Sequence, residues 1–238
     1  MTNSQGSART RMLEAILVHV PFDGWSDTAF RAAVRDAGLD MGLARAACPR
    51  GAIDLAADHH RARDEAMTAR LEASDLSQMR FRDKVATAVR FRIEEAGDKE
   101  LVRRGTTLFA LPNHAPEGAR LIWNTADAIW DALGDSSDDV NWYTKRATLS
   151  AVYSSTLLYW LGDTDPENGP TWAFLDRRID DVMQIEKLKA RVRESPTLSR
   201  LLAGPNWLMG HVHAPDRNGL ANLPGRWRAP GGQGGDRL

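Results

Sequence analysis

Helix-forming residues dominate this chain of 238 residues. Alanine and leucine together number 58, whereas valine and isoleucine, which favour strands, number 18. Apolar residues recur with helical spacing between Gly and Pro breaks, and no segment shows the alternation of a strand. The sequence therefore predicts an all-α fold of about ten helices. This fold class excludes β-rich architectures and any phosphate-binding loop that follows a strand.

Composition and charge further restrict the class of protein to which this chain can belong. The 31 Lys and Arg residues balance 32 Asp and Glu residues, so the net charge of -1 provides no general attraction to nucleic acid or anionic lipid. No stretch approaches the roughly 20 apolar residues of a membrane-spanning helix. Residues 1–12 are polar and lack the apolar part of a secretory signal, and Cys48 is the single cysteine. We expect a cytosolic protein without an internal disulfide.

The sequence contains few candidates for catalytic or metal-binding residues. His59 and His60 are adjacent, so on a helix they point about 100° apart rather than toward one metal ion. His211 and His213 have no third ligand at useful spacing. Cys48 lies among small residues, which favours a buried thiol over a nucleophile. We therefore expect no enzyme activity, no metal and no cofactor, and solvated or capping histidines.

The N-terminal residues 9–55 read as three short helices and resemble the DNA-binding end of tetracycline-repressor-type regulators. Their six arginines are cancelled by six acidic residues, and segment 41–47, at the position of a recognition helix, carries Arg45 as its single cation. A protein that binds duplex DNA needs a basic surface to contact the phosphates. We expect a vestigial helix-turn-helix and no nucleic-acid partner. The alternative is a ligand-responsive transcriptional regulator of this type.

Changes in composition divide the chain into four parts. We expect a helix-turn-helix-like part at 9–55, a helical body at 56–190, an amphipathic helix at 191–213, and a disordered, Gly/Pro-rich tail at 214–238.

Five of the eight tryptophans lie within the fifty residues that end at Trp172, and recognisable motifs surround them. These motifs are L-P-N-H-A-P at 111–116, W-x-x-A-D-x-I-W at 123–130, D-D-V-N-W-Y-T-K-R at 138–146, and P-T-W-A-F-L at 170–175. Together they resemble the ubiquinone biosynthesis lipid-binding accessory protein family. The resemblance covers about residues 10–190, and its most specific part is the third motif.

This resemblance implies a tetracycline-repressor-like fold and a non-enzymatic function. The protein would enclose an isoprenoid quinone intermediate or a phospholipid in an apolar cavity and present the quinone to the di-iron demethoxyubiquinone hydroxylase. Burial of a lipid tail gains about 0.8 kcal/mol for each CH₂, so such a cavity needs few polar groups. The candidate lining residues are Met79, Val89, Leu111, Ile122, Trp123, Ala126, Ile129, Trp142, Leu149, Val152, Tyr153 and Phe174.

Two further surfaces follow from the resemblance. A patch on the later helices would bind the hydroxylase through Trp172, with Tyr159 and Trp160 nearby. The last helix would contact the membrane surface, although Gly204-Pro205 departs from the pattern of a continuous helix. Its candidate membrane contacts are Leu198, Leu201, Leu202, Trp207 and Leu208. We also expect a homodimer, located in the bacterial cytoplasm at the inner face of the inner membrane.

Overall fold

The computed structural model describes residues 2–137 and 140–194, and all regular secondary structure in these ranges is helical. The helices are α1 (Thr2–Ile16), α2 (Val20–Asp23), α3 (Asp27–Asp36), α4 (Met41–Ala47), α5 (Ala52–Glu72), α6 (Phe81–Glu94), α7 (Lys99–Ala110), α8 (Ala115–Ala132), α9 (Val140–Gly162) and α10 (Gly169–Glu194). The predicted all-α fold is therefore confirmed.

Helices α1, α3 and α4 pack with the start of α5 around one apolar core that includes Ile16, Phe30 and Leu55. Side-chain caps start α3 and α4. The Oγ atom of Ser26 accepts a hydrogen bond from the Ala29 amide at 3.2 Å and caps α3. Cys48 is fully buried beside this core, and burial raises the pKa of its thiol to about 11, as expected for a packing residue.

The first helical stripe differs from its prediction. The spacing of apolar residues predicts one helix over 12–21, whereas α1 ends at Ile16 and a separate short helix α2 begins at Val20. Pro21 explains the break, because proline has no N–H to donate to residue 17 of a continuous helix and is tolerated in a first turn. The interruption leaves Val18 exposed between the two helices.

Helices α5, α6, α8, α9 and α10 enclose a second core, which forms the helical body. Helix α8 packs against both α5 and α9, and α10 packs against α9 and α6. Helix α5 belongs to both cores, since Leu55 lies in the first and Met67 in the second. The expected domain boundary at 55/56 falls inside this helix, and the division into domains stays a prediction.

Helix α6 begins later than predicted. The sequence predicts a helix from Asp75 to Glu95, but residues 73–80 form a loop and α6 starts at Phe81. In this loop the Asp75 carboxylate accepts a hydrogen bond from the Ser77 amide at 3.0 Å. Such a local bond offers the backbone an alternative to the helix. Met79 therefore lies in a loop rather than on a helix.

The expected C-terminal features lie outside the described residues from position 195 onward. These features are the remainder of the amphipathic helix to 213, its membrane contacts Leu198, Leu201, Leu202, Trp207 and Leu208, and the tail 214–238.

Candidate functional site

A pocket of about 350 Å³ opens between α5, α6, α7, α8 and α9. Its volume lies in the range of roughly 300–1,000 Å³ that is usual for small-molecule sites. Most of its wall is apolar. The apolar lining includes Leu101, Val102, Phe109, Leu121, Ile122 and Leu157.

Small residues create the space. Gly105, Gly118 and Ala56 line the pocket from three different helices. A Cβ atom added at Gly118 would lie 2.8 Å from the Cβ atom of Phe109 and 3.1 Å from its carbonyl oxygen. Glycine at this position therefore permits the close approach of α7 and α8, which places Phe109 in the pocket wall.

The pocket has a mouth and a floor. Ala110, Ala119 and Leu158 are lining residues that are exposed to solvent, so the opening lies where α7, α8 and α9 meet. The opposite side is buried, with Arg92 at 2% and Tyr153 at 1% exposure. Apolar groups surround the mouth, whereas polar groups gather at the floor.

An ion pair anchors the floor. Arg92 donates from Nε to Oδ1 of Asp64 at 2.6 Å and from Nη2 to the carbonyl oxygen of His60 at 3.3 Å. Thr125 donates to the same Asp64 oxygen at 2.8 Å. The Nε2 atom of His60 lies 2.9 Å from the hydroxyl oxygen of Thr125. These bonds satisfy a set of polar groups that would otherwise be costly to bury.

Both histidines of the floor are neutral at physiological pH. Burial, together with the nearby positive charge of Arg92, lowers the pKa of His60 to about 3. Burial lowers the pKa of His59 to about 4, with Arg63 and Arg92 acting in the same direction. The expectation of solvated or capping histidines is therefore wrong for this pair, because α5 turns both rings toward the interior of the body.

The second arginine of the floor is not paired in the same way. Arg63 lines the pocket one turn beyond His59 on α5. Its Nε atom is buried and has no hydrogen-bond partner. Among the described residues Arg63 forms no ion pair, so its charge is not cancelled within the pocket floor.

Two of the twelve residues expected to line a lipid cavity, Ile122 and Tyr153, line this pocket. Half of the others are packing residues of the core, because a helical stripe cannot distinguish a cavity wall from a closed core. The residues placed in the body core instead are Val89, Ala126, Ile129, Leu149 and Val152.

The remaining five expected residues lie elsewhere. Trp123 and Trp142 form an aromatic contact between α8 and α9, with ring centroids 5.9 Å apart. Leu111 is 46% exposed at the end of α7, and Phe174 stacks on Tyr159 at the surface. Met79 lies in the loop between α5 and α6.

The motif at 138–146 has a structural role in its described part. Arg146 has a fully buried side chain that binds Asp127, Asp131 and Asp135 at the end of α8, the last two at 3.3 and 3.2 Å. Lys145 donates to Asp135 at 2.7 Å. These contacts join the start of α9 to α8.

The three expected docking residues have different environments. Tyr159 is 40% exposed, and its ring stacks on Phe174 with centroids 4.6 Å apart. Trp172 is half-buried, with its Nε1 donating to the carbonyl oxygen of Glu167 at 3.0 Å and the Arg90 guanidinium 4.8 Å from its ring. Trp160 is only 6% exposed, so it is a packing residue of the body rather than a surface contact.

Sequence reasoning missed several pocket residues. Trp25 packs in the core of the helix-turn-helix, but it also lines the pocket and donates to the carbonyl oxygen of Leu101 at 3.4 Å. His59, His60 and Arg63 were missed as a group. The available signal was their spacing, since residues three and four positions apart share one face of a helix.

The single cation of α4 is engaged by other side chains of the helix-turn-helix. Arg45, the single cation of α4, binds Asp27 and stacks over the Phe30 ring with its guanidinium 4.7 Å from the centroid. Asp27 also binds Arg31 at 2.6 Å. These intramolecular contacts occupy the cation that a recognition helix would offer to phosphate.

The fold and the pocket define an all-helical protein with a tetracycline-repressor-like architecture and an apolar site in its helical body. A solved structure with this architecture is the TetR transcriptional regulator from Nitrosomonas europaea, with a TM-score of 0.60 at 12% identity. The similarity covers 72% of this chain and 95% of that one. It supports the fold assignment alone.

The family similarity is to COQ9. The COQ9 family model matches residues 115–186, which include α8, α9 and most of α10. The ubiquinone biosynthesis protein COQ9, mitochondrial, of Homo sapiens is 29% identical over 203 residues, covering 81% of this chain and 63% of that protein. Its counterpart in Xenopus tropicalis is 31% identical over 192 residues, covering 76% and 59%. The family resemblance predicted from the motifs is therefore confirmed.

This chain spans less than two thirds of the length of these relatives. Both relatives are named as mitochondrial proteins. Among the described residues, no helix is both long enough and apolar enough to cross a bilayer.

Proposed function

We propose that this protein is a non-enzymatic accessory factor of ubiquinone biosynthesis that holds an isoprenoid quinone intermediate in the pocket of its helical body. The similarity to proteins named for ubiquinone biosynthesis supports the pathway. The observation that carries the proposal is the apolar pocket of about 350 Å³, which opens to solvent beside α7, α8 and α9.

The size of the pocket restricts how such a ligand binds. A volume of 350 Å³ corresponds to about twelve water-sized groups, each of about 30 Å³. This is room for a ring and the first part of a tail, but not for a long polyprenyl chain. The rest of the tail would pass through the mouth beside Leu158, which is 58% exposed.

The outer surface of α9 and α10 is the proposed docking site for the di-iron hydroxylase. Three of the eight large hydrophobic residues that are exposed in the described structure lie there, with Leu158 at 58%, Tyr159 at 40% and Met183 at 39% exposure. The pocket mouth includes Leu158, so a partner bound here would lie next to the ligand. The same surface is available for the proposed homodimer.

The alternative function is a ligand-responsive transcriptional regulator. Its support is the fold shared with a TetR regulator. The engagement of Arg45 by Asp27 disfavours it, because high-affinity DNA binding depends on cations that are available to phosphates. Specific, salt-dependent binding of the chain to duplex DNA would favour this alternative.

Lipid uptake tests the proposal. The delipidated full chain is incubated with phospholipid vesicles that contain ubiquinone, reisolated, and analysed by native mass spectrometry. We expect one quinone or phospholipid molecule per chain. A chain that takes up neither lipid would contradict the proposal.

Docking is tested separately with Tyr159→Ala and Trp172→Ala. We expect both variants to weaken co-purification with the hydroxylase by at least tenfold while lipid content is retained. Phe22→Ala is the matched control, because Phe22 is an exposed aromatic residue, at 84%, on the distant helix α2. Unchanged co-purification of both variants would contradict this docking site.

A further inference from the structure

One donor in the pocket floor is left without a partner. Among the described residues, four buried side-chain atoms lack a hydrogen-bond partner, and of these only the Nε atom of Arg63 belongs to a residue that lines the pocket. Buried donors in folded proteins are normally paired, and an unpaired one carries a free-energy penalty. This atom has almost no accessible surface, so a ligand in the pocket would contact Arg63 through the terminal nitrogens of its guanidinium group.

The charges around this donor do not cancel. Arg63 and Arg92 are the two cationic lining residues apart from the histidines. Arg92 is neutralised by Asp64 at 2.6 Å, and burial keeps His59 and His60 uncharged. Arg63 forms no ion pair among the described residues, so its charge is the excess charge at this end of the pocket. A group with negative charge or acceptor oxygens is therefore favoured there.

We infer that Arg63 binds the acceptor oxygens of an amphiphile's polar head, so that the head lies at the α5 floor and the tail points toward the mouth. This inference rests on the proposed lipid-binding function and adds an orientation and a recognition residue to it. The opposite orientation would leave the head to solvent at the mouth, beside Ala110, Ala119 and Leu158, and would place an apolar tail against the Arg63 cation, which has no counterion among the described residues.

Two kinds of head share the required chemistry. The carbonyl oxygens of a quinone ring and the oxygens of a phosphate both accept hydrogen bonds from a guanidinium group. Three probes separate these sources: hexylbenzoquinone, hexyl phosphate, and hexylbenzene, which has the same tail and a ring but no acceptor oxygen. The affinity of each for the delipidated full chain is measured by calorimetry.

The test variant is Arg63→Met, which keeps an unbranched apolar side chain and removes the donor. Arg61→Met is the matched control on the same helix, since Arg61 is 47% exposed and pairs with Asp58 at 2.7 Å outside the pocket. Removing an unpaired buried donor is not expected to destabilise the fold. The thermal midpoint of ligand-free Arg63→Met should therefore equal or exceed that of the wild type.

We expect hexylbenzoquinone, hexyl phosphate or both to bind the wild type at least tenfold more tightly than hexylbenzene does. Arg63→Met should abolish this difference without weakening hexylbenzene, and Arg61→Met should preserve it. The oxygen-bearing probe whose affinity falls in Arg63→Met identifies the chemistry of the head group. Equal affinities of each probe for the wild type and Arg63→Met would overturn the inference while leaving lipid binding intact. Failure of all three probes to bind the wild type would instead contradict the proposed function.

Discussion

Arg92 and Asp64 form a buried ion pair beneath the pocket, with Nε and Oδ1 2.6 Å apart and the arginine side chain 3% exposed. The pair joins α5 to α6 at the point where the wall of the pocket meets the body core. Tyr153 of α9 lies over the same guanidinium, with its ring centroid 5.5 Å away. Three helices therefore depend on one cation for their relative positions.

The ion pair predicts an asymmetry between single and double variants. Arg92→Met leaves the Asp64 carboxylate buried without its cation, and we expect a loss of about 3–5 kcal/mol in the free energy of unfolding. The double variant Arg92→Met/Asp64→Leu removes both charges and should recover at least half of this loss. Denaturant titration measures both values. A double variant less stable than Arg92→Met alone would contradict the assignment.

The two buried histidines predict acid sensitivity. Their pKa values in the folded protein, about 4 for His59 and about 3 for His60, lie below the ordinary value of 6.5. The unfolded chain therefore binds more protons below pH 6.5. The stability is fully present above that pH and is lost as the pH falls toward 4. We expect a loss of about 2 kcal/mol for each histidine between pH 7 and pH 5.

Denaturant titrations at pH 7 and pH 5 check this expectation in the wild type and in His59→Gln/His60→Gln. Glutamine does not titrate, and at position 60 it retains a nitrogen donor for Thr125. The carboxylates are common to both proteins, so the difference between them isolates the histidines. An equal pH dependence in the two proteins would show that the rings are not buried in neutral form.

The close approach of α7 and α8 predicts opposite effects for two glycines. Gly118→Ala places a Cβ atom 2.8 Å from the Phe109 Cβ atom, which is rigidly attached to the backbone, and should cost about 1–3 kcal/mol. Gly105→Ala meets only the Nε1 atom of Trp25 at 3.6 Å and should gain about 0.5–1 kcal/mol from helix propensity. Thermal unfolding of the two variants gives the signs. A Gly118→Ala protein as stable as Gly105→Ala would contradict the described packing.

The fold was largely predictable because its signals are local. The cap at Ser26, the left-handed Gly38 after α3, and the turn between α7 and α8 all involve residues a few positions apart. The predicted boundaries near Pro21 and Asp75 were wrong for equally local reasons. Proline at position 21 restarts the helix, and the bond between Asp75 and Ser77 holds a loop in place of the first turn of α6.

The pocket was less predictable because it depends on how five helices meet. Ile122 lines it, whereas Ala126, one turn further along the same stripe of α8, is fully buried in the core. Sequence spacing places both on one face and cannot show where that face leaves a gap. The motif at 138–146 was likewise recognised by its resemblance to a family, which did not show its structural role. The structure shows that the Arg146 side chain of this motif binds the acidic end of α8.

Polar residues were a better guide to the floor than apolar stripes. Residues 59–63 of α5 carry four basic or imidazole side chains on a helix that otherwise enters two apolar cores, and three of them, His59, His60 and Arg63, line the pocket. Such groups are buried only when they are paired or functional. The ion pair with Asp64 explains how Arg92 can be buried in the floor. Arg63 has no such ion pair among the described residues.

The pocket itself is tested most directly by filling it. Gly105→Phe projects a ring from α7 into the cavity at a position where a Cβ atom has room, and phenylalanine has a higher helix propensity than glycine. Quinone uptake from vesicles by this variant is compared with uptake by Gly105→Ala, which leaves the cavity open. We predict at least a tenfold loss of uptake for Gly105→Phe at an unchanged or higher thermal midpoint, and normal uptake for Gly105→Ala. Equal uptake by a folded Gly105→Phe protein would contradict the claim that this pocket holds the lipid.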